Sequence, residues 1–184
     1  GYVLGYFDPE AIAVCPEGNI RLQHCHRFQI QGWNRVFPAR PGPAEYQAPE
    51  LQGERWEAGE RTRDQDHFSL AVLIYRVLMM GAHPFDALCA DGSRSVLTVA
   101  IADYAYVHDE DAEQAGIRPV PGSLPPDILP NALRHAFAQA FAPLVGADSR
   151  PKAEDWIDTL RRMARTLQVC PRAAWHEYRE GLAE

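Results

Sequence analysis

The stretch RTRDQDHFSLAVLIYRVLMMGAHPF, residues 61–85, decides the fold. It predicts one helix over residues 66–80, because apolar residues occur on nearly every side of the helical period. Asp64 or Asp66 is expected to cap the first turn, and Gly81 is expected to end the helix. A helix that is apolar nearly all round belongs at the centre of a core. One apolar stripe contains Leu70, Leu73, Ile74, Val77 and Leu78, and Ala71, Val72 and Tyr75 fill the other side.

The residues before this helix divide into a short ribbon and a long segment without a helical period. Apolar residues at 11–14 and 20–23 flank the turn sequence Pro16-Glu17-Gly18-Asn19, which predicts two paired strands. Residues 27–60 are rich in proline and glycine. An irregular segment of this length in a compact domain is typically functional or held by a partner.

The residues after the central helix are predicted to be mostly helical. Their connection over residues 103–129 contains the acidic run Asp109-Glu110-Asp111, which is typical of a solvated face. Pro171 interrupts the last part of the chain. Further helices are predicted near residues 93–102, 130–141, 152–167 and 172–182.

Composition restricts the class of protein. The chain has 184 residues, enough for one domain with a real core. Its net charge of −7 gives no bulk attraction to nucleic acid or to an anionic membrane. The longest apolar runs are too short to span a membrane. Four widely spaced cysteines favour reduced thiols in a cytoplasmic protein over a disulfide framework.

Four short motifs occur in the order found in the C-terminal lobe of protein kinases. They are Ala48-Pro49-Glu50, Asp66-His67-Phe68-Ser69-Leu70-Ala71, Gly81-Ala82-His83-Pro84-Phe85 and Arg150-Pro151. The chain therefore resembles a kinase C-lobe over nearly its whole length. The resemblance implies a mainly α (α+β) fold, a helical domain with one small β-ribbon and no N-lobe. The domain is expected over residues 1–168, with a C-terminal helical tail over residues 169–184.

The sequences of several segments resemble those of a more specific bacterial kinase-like family. These segments are residues 46–53, residues 70–75 and the tail pattern Cys170…His176-x-Tyr178. The family occurs in tellurite-resistance-type phosphorylation triads with von Willebrand A-domain proteins and PPM-type phosphatases. The resemblance implies a von Willebrand A-domain protein as partner, with the metal in the partner's own site, and a PPM-type phosphatase as a second partner.

The positions that should carry kinase chemistry hold other residues. Aligned on Pro9-Glu10, the position of the catalytic base is Tyr6 and that of the metal-binding Asn is Ala11. His24 replaces the metal-binding Asp. Tyrosine is a weak base near neutral pH, alanine offers no ligand atom, and histidine suits Mg²⁺ poorly. These losses predict a degenerate, pseudokinase-like chain that is not an enzyme and acts as a scaffold.

Features that bind or respond to phosphate are also missing from the sequence. The chain has no Gly-rich loop, and its single lysine, Lys152, lies far from the expected nucleotide site. Residues 27–48 contain no Ser or Thr, so Tyr46 is the only acceptor for a phosphate switch there. No cofactor is therefore expected. The alternative is the C-lobe of a Ser/Thr kinase whose ATP-binding N-lobe is missing or supplied in trans.

Three scaffold positions of the kinase lobe are retained. The resemblance implies a buried ion pair between Glu50 and Arg150 that ties the activation segment to the last helices. It also implies that Asp66 bonds the backbone of the catalytic loop. The alternative is that Glu50 and Asp66 are surface caps.

Partner contacts are predicted on an exposed apolar face and on aromatic side chains. Carboxylates for the metal of a von Willebrand A domain are expected from Asp8, Glu10 or residues 109–113. The apolar face is expected at Tyr2, Leu4, Ile12, Val14 and Leu22, and the aromatic contacts at Trp33, Phe37, Tyr46 and Trp56.

No bound metal is expected. His24-Cys25-His26 with Cys15 suggests zinc, but Cys25 would point away from the two histidines on a strand. Cys170 and His176 form half of a site that a Cys-x-x-Cys pair completes in the relatives, and the tail is expected to stop before that pair. His83 is predicted to be a packed structural histidine.

Overall fold

The computed structural model describes residues 2–5, 7–40, 42–54, 59–146 and 148–179. The central element is helix α1, Arg63–Leu78. Its N-cap is Thr62, whose Oγ1 accepts a hydrogen bond from the backbone N–H of Gln65 at 3.4 Å. The Gln65 side chain returns the bond by accepting from the N–H of Thr62 at 2.9 Å. The prediction that an aspartate caps the helix is wrong, because this reciprocal Thr–Gln pair forms a capping box.

The helix lies in the core, as the sequence predicts, but the inward face differs in one respect. Phe68, Ala71 and Val72 are completely buried. Val77, which was expected to face inward, is 77% exposed. Val77 is five residues beyond Val72, about 140° around the helix, so it points away from the buried face. The helix is therefore buried on most of its circumference, and Val77 is the exception in the predicted stripe.

Three further helices pack around α1, and their aromatic side chains fill the core. They are α2 (Leu97–Ala102), α3 (Asn131–Phe141) and α4 (Ala153–Ala164). Phe137 of α3 lies between α1 and α4, with its ring centroid 5.2 Å from that of Tyr75 and 4.9 Å from that of Trp156. Aromatic pairs at these distances stabilise a core beyond the area that they bury. These contacts join the three longer helices into one core.

The described part of the chain also contains nine short strands in four separate antiparallel sheets. The predicted ribbon at 11–14 and 20–23 is confirmed as β2 paired with β3. The prediction of a mainly α fold with that single ribbon is wrong, because three further sheets form. The strands are β1 (Tyr2–Val3), β2 (Ile12–Val14), β3 (Ile20–Leu22), β4 (Gln29–Gln31), β5 (Val36–Phe37), β6 (Ala87–Leu88), β7 (Arg118–Pro119), β8 (Leu167–Cys170) and β9 (Ala173–Arg179).

The segment over residues 27–60 is more regular than its composition indicates. It contains β4 and β5, which join β1 in a three-stranded sheet with the order β1-β4-β5. It also contains 3₁₀ helices at Ala44–Tyr46 and Pro49–Leu51. These elements contain only two or three residues each, too few to show a period in the sequence.

The tail differs from the helix predicted at residues 172–182. Strand β8 pairs with β9 in an antiparallel hairpin, with Gln168 opposite Tyr178 and Val169 opposite Glu177. Pro171 and Arg172 lie in the turn between the two strands. Val169, Trp175 and Tyr178 favour strand over helix, which accounts for the difference. Arg179 donates to the backbone carbonyl of Asp127 at 2.7 Å and so fixes the hairpin to the domain.

Candidate functional site

Asp66 holds the backbone that precedes the catalytic-loop positions. Its two carboxylate oxygens accept hydrogen bonds from the N–H groups of Leu4 and Gly5, each at 2.7 Å. Gly5 has φ +60°, and a Cβ there would lie 2.3 Å from the Cβ of Ala39. Only glycine fits this close approach without displacing the neighbouring chain. The first turn of α1 therefore positions the loop that begins at residue 4.

Burial raises the pKa of the Asp66 carboxyl to about 6. The two backbone hydrogen bonds and the nearby Arg63 oppose this increase, because each of them favours the ionised form. The loss of hydration is the larger effect. Asp66 is thus a partly buried carboxylate whose pKa lies well above its usual value.

The remainder of the loop forms a 3₁₀ helix, Pro9–Ala11, with Asp8 as its N-cap. Asp8 is 2% exposed, and its Oδ1 accepts from the N–H of Ala11 at 3.1 Å. A carboxylate buried in this way is not accessible to a partner protein, so the partner-binding role predicted for Asp8 does not fit the structure. Glu10 is exposed. Ala11, which the sequence alignment on Pro9-Glu10 predicts at the position of the kinase Asn, is completely buried, and Tyr6 lies outside the described residues.

His24 lies at the end of the β2–β3 ribbon in a left-handed conformation, with φ +56°. It is exposed and precedes a 3₁₀ helix over Cys25–Arg27. Its ring centroid is 5.9 Å from that of His26. Within the described ranges, no group of three or more His, Cys, Asp or Glu side chains is arranged to hold a metal ion. His24 and Ala11 together offer no oxygen ligand, so these two positions do not fit Mg²⁺.

Arg150 is the centre of a buried ion cluster. Its guanidinium donates to both carboxylate oxygens of Glu50, at 2.9 and 3.0 Å, and the Arg150 side chain has no exposed surface. Nη1 also donates to Asp64 Oδ2 at 3.2 Å, and Nε donates to the carbonyl of Ala140 at 3.2 Å. The structure thus joins the segment before α1, the first turn of α1 and the end of α3. The sequence reasoning missed Asp64, although a second carboxylate two residues before Asp66 is a signal that the first turn serves two partners.

Tyr46 is part of a second anchor between the segment before α1 and α1 itself. It is 4% exposed, so it is not the surface aromatic that was predicted. Its hydroxyl accepts a hydrogen bond from Arg76, and Arg76 also pairs with Glu45 at 3.2 Å. The carbonyl of Tyr46 accepts from the Ser69 hydroxyl at 2.7 Å. Burial raises the pKa of the Tyr46 hydroxyl and makes it a structural group.

His83 stabilises the same anchor from the turn after α1. It is 8% exposed, and its Nε2 lies 2.9 Å from the carbonyl of Glu45. The N–H of Phe85 donates to Nδ1 at 3.3 Å, so Nε2 carries the proton that is donated to Glu45. Burial lowers the pKa of His83 to about 4, which keeps the ring neutral.

The predicted partner residues do not form one group. Trp33 is fully exposed and Phe37 is 43% exposed, whereas Trp56 lies outside the described residues. In the predicted apolar face, Tyr2, Val14 and Leu22 are exposed, while Leu4 and Ile12 are partly buried.

The remaining predicted sites lie in two further places. Asp109, Glu110 and Asp111 are exposed, and Asp109 Oδ1 accepts from the N–H of Asp111 at 3.0 Å. Cys170 is buried at the end of β8, while His176 is exposed on β9. All four cysteines have free thiols.

Comparison with known proteins shows a kinase-like relationship. No protein-family model matches the chain. It is 32% identical over 181 residues to Protein kinase YegI of Escherichia coli O157:H7, and 31% identical to the protein of the same name from strain K12. Each match covers 97% of this chain and 28% of the relative. The chain thus spans little more than a quarter of the length of these relatives.

These relatives correct one prediction. The sequence predicts a chain that is not an enzyme, but both relatives carry the name of an enzyme, a protein kinase. The substitutions at Tyr6, Ala11 and His24 are therefore an insufficient basis for excluding enzymatic activity. Within the described ranges, the structure has no helix that is both long and apolar enough to cross a membrane.

The pKa of Asp66 predicts a specific dependence of stability on pH. A carboxyl whose pKa rises from 3.8 to about 6 on folding binds its proton more tightly in the folded state. Its contribution to the free energy of unfolding is therefore greatest below about pH 4 and is lost as the pH rises through about 6. We expect Asp66→Asn to remove a pH-dependent difference of about 2–3 kcal/mol.

Urea unfolding at several pH values between about 4 and 7 measures this difference. Asp111→Asn, at an exposed position in the acidic run, is the matched control and should leave the profile of the native chain unchanged. The same pH profile in Asp66→Asn and in the native chain would contradict the assignment of the pKa to Asp66.

The Arg150 cluster predicts a graded loss of stability. Arg150→Ala leaves Glu50 and the buried Asp64 without their cation and should cost about 3–5 kcal/mol. Glu50→Ala should cost about 2 kcal/mol, because Asp64 still compensates the guanidinium. Glu45→Ala removes the more exposed ion pair with Arg76 and should cost less than about 1 kcal/mol. Chemical denaturation of the three variants checks this order. A loss of less than about 0.5 kcal/mol in the free energy of unfolding of Glu50→Ala would show that the Glu50–Arg150 ion pair does not stabilise the fold.

Proposed function

We propose that the chain forms the acceptor-binding lobe of a protein-kinase-like enzyme that transfers a phosphoryl group from ATP to a protein hydroxyl. The observation that carries the proposal is the pair of hydrogen bonds from Leu4 and Gly5 to Asp66. They hold the loop that we align with the catalytic loop of a kinase, and the sequence relationship to Protein kinase YegI supports the same class. A positioned loop is what phosphoryl transfer requires of the protein, because catalysis is mainly alignment and electrostatic stabilisation.

Glu10 is the carboxylate that we assign to the acceptor hydroxyl. Of the two acidic residues in the loop, Asp8 is buried as a cap and Glu10 is exposed, so Glu10 is the one that an acceptor can reach. Asp8 then orients the short 3₁₀ helix that carries Glu10. Ala11 and His24 do not fit Mg²⁺, so no step is assigned to a metal held at these two positions.

The groups that grip ATP are proposed to lie outside these 184 residues. The sequence contains no Gly-rich loop, and its single lysine, Lys152, lies immediately before α4. The relatives are more than three times as long as the matched region, so they have ample sequence to supply such groups. This proposal corresponds to the alternative predicted from the sequence, a kinase C-lobe whose ATP-binding N-lobe is missing from these residues or supplied in trans.

We expect Glu10→Gln to reduce phosphoryl transfer by about 10²-fold or more, the usual contribution of a positioned general base. The measurement is transfer of labelled phosphate from ATP with Mg²⁺ by the full-length protein. Glu17→Gln, on the exposed turn of the β2–β3 ribbon, is the matched control and should retain full activity.

A thermal-shift titration separates loss of chemistry from loss of nucleotide binding. ATP at about 100 times its dissociation constant should stabilise the full-length protein and its Glu10→Gln variant alike, by about 2.7 kcal/mol. Absence of any ATP-dependent stabilisation in the full-length protein would refute the proposed kinase function.

A von Willebrand A-domain protein is the partner that we propose for the acidic run. Asp109, Glu110 and Asp111 are exposed on the connection between α2 and α3, where a carboxylate can complete the metal site of such a domain. We expect Glu110→Gln to weaken binding of a von Willebrand A protein from the same genome about tenfold, a change of 1.4 kcal/mol. Titration calorimetry measures it, with Glu154→Gln as the exposed control. Binding that persists after the metal is removed by chelation would argue against this mode.

A further inference from the structure

The three-stranded sheet β1-β4-β5 exposes a row of apolar side chains. Tyr2 pairs with Ile30, and Ile30 pairs with Phe37, so the three side chains lie side by side on one face. They are 68%, 39% and 43% exposed, respectively. The other face, which contains Val3 and the buried Gln29, packs against the domain. The sheet thus has one packed face and one open apolar face.

The hairpin over residues 27–40, which contains β4 and β5, is held in shape before any partner binds. At its tip the N–H of Gly32 donates to the carbonyl of Arg35 at 3.0 Å, and at its base the N–H of Arg40 donates to the carbonyl of Arg27 at 2.9 Å. The guanidinium of Arg35 lies over the Phe37 ring, 4.1 Å from the centroid. Trp33, beside the tip, is fully exposed.

A side-chain clamp joins this hairpin to the start of α1. Gln29 donates from Nε2 to the carbonyl of Arg61 at 2.9 Å and accepts at Oε1 from the N–H of Arg61 at 2.7 Å. The amide of Gln29 is buried and satisfied in both directions, so it fixes the sheet relative to the central helix. A surface ordered in advance loses less conformational entropy on binding.

The sequence around this surface is basic, although the whole chain is acidic. Residues 18–44 contain four arginines and no Asp or Glu, although the chain carries −7 overall. Arg35 and Arg40 are exposed, and neither forms an ion pair with a carboxylate in the described ranges. An arginine stacked on an aromatic ring keeps its outward N–H groups available for a carboxylate.

We propose that this face, formed by Tyr2, Ile30 and the hairpin over residues 27–40, binds an acidic protein segment that also carries apolar side chains. Arg35 and Arg40 pair with its carboxylates, while Trp33, Phe37 and Ile30 receive its apolar groups. Arginine and aromatic residues are the types that dominate binding energy at protein interfaces. A nucleic acid carries a phosphate at every nucleotide, and two exposed arginines beside four exposed apolar side chains offer it few cations. The proposal does not depend on phosphoryl transfer.

Fluorescence anisotropy without nucleotide tests the proposal on the 184-residue chain. The probe is a labelled peptide of glutamates interrupted by leucine and phenylalanine. A peptide of the same apolar residues with lysine replacing glutamate, and a single-stranded RNA of similar length, serve as comparisons. We expect the acidic peptide alone to bind, and Arg35→Ala, Arg40→Ala and Trp33→Ala each to weaken its binding about tenfold. Arg118→Ala and Trp175→Ala alter exposed residues of the same types elsewhere and should have no effect.

Several results would overturn the proposal. Equal or tighter binding of the RNA would assign the surface to nucleic acid. Sedimentation showing self-association that Arg35→Ala abolishes would assign it to a second copy of the chain. Acidic-peptide binding that is unaffected by all three variants would place the acidic site elsewhere. Because no nucleotide is present, each result can be distinguished from failure of the phosphoryl-transfer proposal.

Discussion

The buried guanidinium of Arg150 is the constraint on which the rest of the structure depends. It bonds Glu50 in the segment before α1, Asp64 in the first turn of α1 and the carbonyl of Ala140 near the end of α3. An isolated buried charge is too costly to retain, so these partners must be present together. The cluster therefore fixes residues one hundred positions apart in the sequence and sets the position of α1. The loop that Asp66 bonds through Leu4 and Gly5 is attached to the same turn, so its position also depends on the Arg150 cluster.

The first turn of α1 makes two different tertiary contacts through two carboxylates. Asp64 faces Arg150, while Asp66, two residues later, faces the backbone of Leu4 and Gly5. Successive helical residues point about 100° apart, so two positions separate the two carboxylates onto different sides of one helix. Thr62 and Gln65 satisfy the helix terminus, which leaves both aspartates free for these tertiary contacts. The sequence of this turn thus connects the core to the loop.

The sequence predicts those elements that show a regular apolar pattern or a clear turn sequence. Helices α1 and α3 and the β2–β3 ribbon lie within a few residues of their predicted positions. The β4–β5 hairpin was not predicted, because strands of three and two residues without a clear turn sequence between them show no alternation. In the β8–β9 tail the apolar residues do not alternate regularly, so the sequence did not distinguish a strand from the predicted helix. Likewise, Tyr46 was expected at the surface. No local sequence pattern reveals that Arg76 of α1 donates a hydrogen bond to the Tyr46 hydroxyl.

The candidate site illustrates a further limit of arguments from substitution. Tyr6, Ala11 and His24 lack the groups that a kinase uses, and that comparison alone favours an inactive chain. The geometry instead shows that the support of the loop is intact, with Asp66 and Asp8 both engaged in backbone hydrogen bonds. The partial burial of Asp66 opposes its ionisation and raises its pKa. A fold that bears this cost keeps the loop in a defined position, which is a requirement of the phosphoryl transfer proposed above.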